Sequence, residues 1–188
     1  MAWRPPQNDA SRYHRGWVGS SRTEIIRHLV AAIDRHEDLA SLAFGAATAT
    51  AEIMAASSAH VTIIEGNNFR DVVNVGHLDP GQVTFPVDQV YALDVLPAAA
   101  DRLLSHRGYL STDSLDVVTE YLRFRPQAAP SSFLGAPIVA RGRVHGELFL
   151  CRPPGEPGFT YEDLELAMDL GTVLGSRIPA IQAMEQRA

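Results

Sequence analysis

The chain is 188 residues long, with 46% hydrophobic and 20% charged residues and a formal net charge of −6. That length fits one domain able to bury its own core. No run of about 18 apolar residues occurs, which excludes a membrane-spanning helix, and the single cysteine, Cys151, excludes an internal disulfide framework and any paired-cysteine zinc or redox motif.

Residues 1–22 read as a flexible basic tail. The first 23 residues hold four arginines against one aspartate, a net of about +3, so the body is strongly acidic. An acidic body makes nucleic acid an unlikely partner for the folded part. Pro5, Pro6, Asn8, Asp9, Ser11 and Gly16 disfavour regular structure in the tail. Trp3, Tyr13 and Trp17 are expected to pack on the body or on a neighbouring subunit. The tail has no apolar stretch of the kind that marks a secretory signal, so a cytoplasmic location is the simplest reading.

Residues 23–188 read as one domain. Ser21-Arg22-Thr23-Glu24 fits a capping box, and behind it Ile25, Ile26, Leu29, Val30 and Ile33 recur at helical spacing. Asp38 caps a second helix carrying Leu39, Leu42, Ala43, Ala46, Ile53 and Met54, whose alanines permit close helix packing. Two β-branched runs, His60 to Glu65 and Phe69 to Val75, flank the turn residues Gly66-Asn67-Asn68 and predict a hairpin. A Gly- and Pro-rich loop covers Gly76 to Asp88. Pro97 suits the first turn of a short helix with Leu103 and Leu104, and Gly108 is placed to end it. A short strand at Tyr109 to Ser111 follows. Then comes a helix capped by Asp113 or Ser114, with Leu115, Val118, Tyr121 and Leu122 on its faces.

The stretch from Ser132 to Leu174 is the most telling. A strand from Phe133 to Val139, the turn Arg141-Gly142 and a strand from Val144 to Cys151 predict a second hairpin. A Pro/Gly hinge leads to a helix capped by Thr160, with Asp163 favoured near its N-terminus by the dipole. Its stripe is Leu164, Ala167, Met168, Gly171, Leu174 and Ile178, and Pro179 is expected to kink or end it. Hairpin-joined strands between helices give an α+β sandwich with an antiparallel sheet.

The order of apolar strand, Arg-Gly turn, His-Gly-Glu-Leu strand, Pro-Pro-Gly loop and Phe-Thr-x-Glu-Asp-Leu helix resembles the C-terminal half of a GAF domain. Val73-Asn74-Val75-Gly76 and the segment Gly146 through Gly155 are similar to stand-alone or N-terminal GAF domains of high-GC bacteria, and the resemblance covers roughly residues 39–178. It implies a sheet of about six antiparallel strands, terminal helices on one face that often build a homodimer, and a loop-and-helix lid on the other. Most family members are sensors or dimerisation modules. A small-molecule pocket is therefore expected between the sheet and the segment Val83 to Ser132.

That segment is long, weakly periodic and mixes aromatic with polar groups, as ligand sites do. The expected ligand-binding residues are Phe85, Tyr91, His106, Tyr109, Tyr121, Phe124, Arg125, Ser132, Phe133 and His145, with Leu134 and Ser131 beside them. Ordinary core packing is the commoner role for any one of these aromatics.

Sharper roles are poorly supported by the residues. The family's cyclic-nucleotide signature is matched at Phe159 and Asp163, but Leu164 stands where a glutamate is expected and the chain lacks lysine. Methionine-sulfoxide reduction by family members uses several cysteines, and Cys151 is alone. Cys151 as a redox- or nitrosyl-sensing thiol beside Arg152, or His106 as an axial haem ligand, are alternatives. No paired-histidine metal spacing and no hydrolase or nucleotide-loop motif occurs. The expected role is a non-enzymatic regulatory domain with an unidentified ligand and cofactor, homodimeric through its first and last helices, signalling to a protein partner. The rival is a ligand-free module for dimerisation or protein–protein contact.

Overall fold

The computed structural model describes residues 20–78, 81–124 and 132–185. Most of the basic tail, with Trp3, Tyr13 and Trp17, lies outside the described residues, as do Arg125 and Ser131. The elements are α1 (Arg22–Ile33), α2 (Leu39–Ile53), β1 (Ser58–Glu65), β2 (Asn68–Gly76), β3 (Val90–Ala92), a 3-10 turn (Leu93–Val95), α3 (Pro97–Leu104), β4 (Tyr109–Leu110), α4 (Leu115–Phe124), β5 (Ser132–Ala140), β6 (Arg143–Arg152), α5 (Tyr161–Gly175) and α6 (Ile178–Glu185). The six strands form one sheet in the order β3-β2-β1-β6-β5-β4, with antiparallel neighbours throughout.

Local sequence explains most boundaries. Ser21 and Glu24 form the reciprocal capping box that starts α1. Asp38 accepts the Ser41 N–H at 2.8 Å ahead of α2, and Thr160 with Asp163 forms a second capping box ahead of α5. The β5–β6 hairpin turns at Arg141 and Gly142, both at positive φ (50° and 70°), which matches the twist of the flanking strands.

Three expectations need correction. The strand Val90–Ala92 was not foreseen; it is three residues long and forms one edge of the sheet against β2. Helix α3 ends at Leu104, and His106, not Gly108, takes the left-handed conformation behind it (φ 58°). Gly108 instead lets its backbone lie close to Gly135, since a Cβ there would fall 2.9 Å from the Gly135 carbonyl oxygen. The final helix is interrupted at Ser176–Arg177, before Pro179, so α5 and α6 are separate segments. Pro179 then sits in the first turn of α6, where its missing N–H costs nothing.

One face of the sheet is covered by α2 and α5, with α1 lying across both. Its core is aliphatic: Ala59, Val61, Ile63, Val73, Leu134, Ile138, Leu148 and Leu150 of the sheet meet Leu29, Leu42, Ala46, Leu170 and Leu174 of the helices. Helix α5 seats closely on β5 because Gly171 and Gly175 face it. A Cβ at either would fall 2.5 and 2.3 Å from the carbonyl oxygens of Pro137 and Val139. Ion pairs from Arg22 to Asp169 and from Arg177 to Asp34 (2.6 Å) fasten α1 to α5 and to the α5–α6 junction.

Between β2 and β5, helices α3 and α4 cover the opposite face. Helices α3 and α4 are locked together, since Glu120 accepts the N–H of Ala98 at 2.9 Å and Arg102 grips Asp116 at 2.9 Å. Beneath them lies a second, largely aromatic core with Phe69, Leu103, Tyr109, Val117, Phe133 and Phe149.

Candidate functional site

Alternation along β1 separates its side chains: Ala59, Val61 and Ile63 enter the aliphatic core, while Ser58, His60 and Thr62 face the lid. On β6, Leu148 and Leu150 face the helices, and Glu147, Phe149 and Cys151 face the lid. Strand β2 would not match this by simple alternation, because Asp71 and Asn74 are an odd number of residues apart. A β-bulge resolves the mismatch. Val61 pairs with Val73 but Thr62 pairs with Asp71, which leaves Val72 as the extra residue. Val72 and Val73 both join the aliphatic core, and Asp71 and Asn74 both reach the lid side.

The result is a polar floor in two rows across the sheet. One row is Asp71–Thr62–Glu147, and the other is Asn74–His60–Phe149. The polar groups satisfy one another, as burial demands. Thr62 Oγ1 and the Tyr91 hydroxyl each donate to Asp71 Oδ1 at 3.1 Å. The Tyr109 hydroxyl donates to Glu147 Oε1. Asn74 Nδ2 donates to the Val83 carbonyl at 3.0 Å, so its Oδ1 accepts from His60 Nδ1–H at 2.5 Å.

Glu147 and Asp71 are 6% and 5% exposed, and burial governs the protonation of Glu147. Removal from water, with a further push from the Asp71 charge, raises the Glu147 pKa to about 7; the Tyr109 hydrogen bond works against that rise. Burial beside Glu147 likewise raises the Tyr109 phenol well above its ordinary value. The Tyr109–Glu147 contact passes over Gly135, where a Cβ would lie 2.3 Å from Glu147 Oε1.

Above the floor is a cavity of about 40 Å³ lined by His60, Thr62, Asp71, Tyr91, Leu96, Tyr109, Tyr121, Phe124, Glu147 and Phe149. Its walls are joined rings: Tyr91 and Phe124 lie 4.8 Å apart, Tyr121 stacks on Phe149 at 5.2 Å, and Tyr121 meets Phe133 at 5.0 Å. A larger hollow of about 190 Å³ adjoins it, sharing His60 and Tyr121 and reaching His77, Gln82, Cys151 and Pro154.

Of the residues expected at the site, Tyr91, Tyr109, Tyr121 and Phe124 line the cavity, and Phe133 packs beneath them. Leu134 faces the helices. Phe85 is exposed and meets Phe44 of α2 at 5.6 Å. His106 is exposed behind α3. Ser132 accepts the Phe159 N–H at 2.9 Å and so ties β5 to the entry of α5. His145 is the unpaired residue of a bulge near the β6 turn, where burial lowers its pKa. Cys151 is buried. Its neighbour Arg152 binds the carbonyls of Met54 (2.6 Å) and Gly158 (3.0 Å) and covers the Phe159 ring at 4.0 Å. Arg152 is thus a strut between β6, the end of α2 and the approach to α5.

His60, Thr62, Asp71, Asn74, Glu147 and Phe149 were missed by reading the sequence. A signal for part of this set was present. Ser58, His60 and Thr62 alternate with Ala59, Val61 and Ile63, which marks a strand with one polar face.

The family model of the GAF domain matches residues 38–178. The chain belongs to the GAF domain family. GAF domains are in general sensory and regulatory modules, and this one shares its fold with several such proteins at low identity. The GAF domain of an Acinetobacter phosphoenolpyruvate-protein phosphotransferase superposes with a TM-score of 0.67 at 17% identity, covering 86% of this chain and 95% of that one. A methyl-accepting chemotaxis protein fragment gives 0.65 at 16% identity, covering 83% and 98%. The chromophore-binding domain of a bacteriophytochrome from R. palustris gives 0.65 at 14% identity; the match covers 87% of this chain and 62% of that one. No curated protein matches the chain. Among the described residues no helix is long and apolar enough to cross a membrane.

Proposed function

We propose that this GAF domain is a non-enzymatic sensor that binds a small molecule on the lid face of the sheet and relays the event through its helical face, as a homodimer acting on a signalling partner. The polar floor carries this reading. Five polar side chains, His60, Thr62, Asp71, Asn74 and Glu147, are gathered on one sheet face beneath aromatic walls, whereas a purely structural face is better served by aliphatic packing. The neighbouring hollow gives the cavity an approach, and Tyr121 lies between the two.

The cavity is small, so a ligand larger than a few atoms requires α4 to lift Tyr121 and Phe124. That motion reaches the helical face through the sheet. Glu147 and Phe149 of the floor alternate with Leu148 and Leu150 of the aliphatic core, and α5 rests on the adjacent β5. A ligand shifts such an equilibrium only by its different affinity for the open and closed lid.

Native mass spectrometry of protein purified from its own host tests this reading. A dimer carrying an additional small mass is the expected result. A dimer without added mass, whose lid-face amides exchange no more slowly in host extract than in buffer, would favour the dimerisation module instead.

A further inference from the structure

Resting on that reading, we propose that the lid-face cavity accepts an organic cation bearing N–H donors, of the amidinium or guanidinium class, with the Glu147 carboxylate as its counter-ion. The hydrogen-bond directions give the first argument. The hydroxyls of Thr62 and Tyr91 are committed to Asp71, and that of Tyr109 to Glu147. At this floor a ligand therefore meets the carboxylate acceptors, and a ligand with donors is matched to them.

Charge gives the second argument. Glu147 and Asp71 are the lining residues with formal charge among those described, and both are acidic. Tyr109 occupies Oε1 of Glu147, and among the described residues no protein donor meets Oε2, although the side chain is more than nine-tenths buried and lines the cavity. A carboxylate there has acceptor capacity to spare. Ring faces are the third argument: Tyr91, Tyr121, Phe124 and Phe149 present π-systems that attract cations and repel anions.

Binding is then linked to protons. The titratable groups facing Glu147 are Asp71 on β2, His60 on β1, Tyr91 on β3, Tyr109 on β4 and Tyr121 on α4. With Glu147 titrating at about 7 in the free protein, its ionised fraction falls from about nine-tenths at pH 8 to about one-tenth at pH 6. A cation competes with that proton, so its affinity falls about tenfold over this range.

The test uses two planar isosteric series. Acetamidine, acetamide and acetate carry charges of about +1, 0 and −1 on one four-atom shape; benzamidine, benzamide and benzoate repeat the series with a ring. Amide NMR shifts of β1, β6 and α4 are followed during titration at pH 6, 7 and 8. The expected result is amidine binding at least about tenfold tighter than the amide, no carboxylate binding, and about tenfold weaker amidine binding at pH 6 than at pH 8. Glu147→Gln, with its fold checked by the same spectra, is expected to lose both the charge preference and the pH dependence. Tyr109→Phe is expected to move the half-point of the pH dependence upward; an unmoved half-point would show that Glu147 is not the titrating group and overturn the proposal. If the amides or carboxylates bind as well as the amidines, the ligand class is wrong while the sensor reading stands. If neither series moves the lid-face amides at any pH, the proposed ligand class is overturned, and the native mass measurement decides the sensor reading separately.

Discussion

The two faces of one sheet are built to different rules. The helical face buries Val, Ile, Leu and Ala from β1, β5 and β6 against the stripes of α2 and α5, with α1 clamped across them by two ion pairs. The lid face, one residue away along the same strands, carries His60, Thr62, Asp71, Asn74 and Glu147 beneath a set of touching rings. Buried aliphatic groups stabilise in proportion to the area removed from water. Buried carboxyls stabilise nothing unless their hydrogen bonds and charges are satisfied. The contrast teaches that aliphatic packing and a buried polar network have been separated onto opposite sides of a common backbone, so that each can be altered alone.

Breaking the helical face should have the largest effect. Leu170 is fully buried between α5 and the sheet. Leu170→Ala is expected to cost about 2–5 kcal/mol, measured by denaturant unfolding, and to leave the Glu147 titration unchanged.

The lid face should respond with the opposite sign. Native Glu147 titrates at about 7, above its ordinary value of 4.5, so the native state holds a proton that the unfolded chain has released. Stability is therefore fully present below pH 4.5 and is lost as pH rises toward 7. Glu147→Gln keeps an acceptor for Tyr109 and removes the charge. It is expected to be more stable than the parent at pH 8 by on the order of 2 kcal/mol and nearly neutral at pH 4.5, when unfolding curves are compared at the two values.

The close seating of α5 gives a sharper, smaller test. In an exposed helix Gly→Ala stabilises by roughly 1 kcal/mol. At Gly175 the added Cβ would meet Val139 backbone atoms at 2.3 and 2.7 Å, so Gly175→Ala is expected to destabilise by about 1–3 kcal/mol. A stabilised variant would show that α5 is free to move off β5. The smallest effect belongs to the clamp. The Arg177–Asp34 pair is largely exposed on the aspartate side, and Arg177→Ala should change stability by less than about 1 kcal/mol, with the difference shrinking in high salt.

Much of the helical face was legible because its signals are local. Capping residues such as Ser21, Asp38 and Thr160 act on N–H groups within three residues, and the stripes of α1, α2 and α5 repeat at helical spacing. The aromatics Tyr91, Tyr109, Tyr121 and Phe124, which line the cavity, fall in the segment to which the family resemblance points. The floor was not legible. His60 and Thr62 lay inside a run read for its β-branched residues, and its alternating polar face went unread. Asp71 and Asn74 come to one face only through the bulge at Val72, and nothing in the run from Asp71 to Val75 announces it. Glu147 was seen as part of a strand motif, but its partner Tyr109 is 38 residues away.

By itself, then, the sequence determined the α+β class, the order of most elements, the two hairpins and the family, because hydrophobic period, caps and turn residues act over a few positions. Only the tertiary structure decided which side chains share the lid face. That depends on strand register, one bulge and a Gly135 small enough to let Tyr109 reach Glu147, and those pairings are set by contacts between residues far apart in the chain.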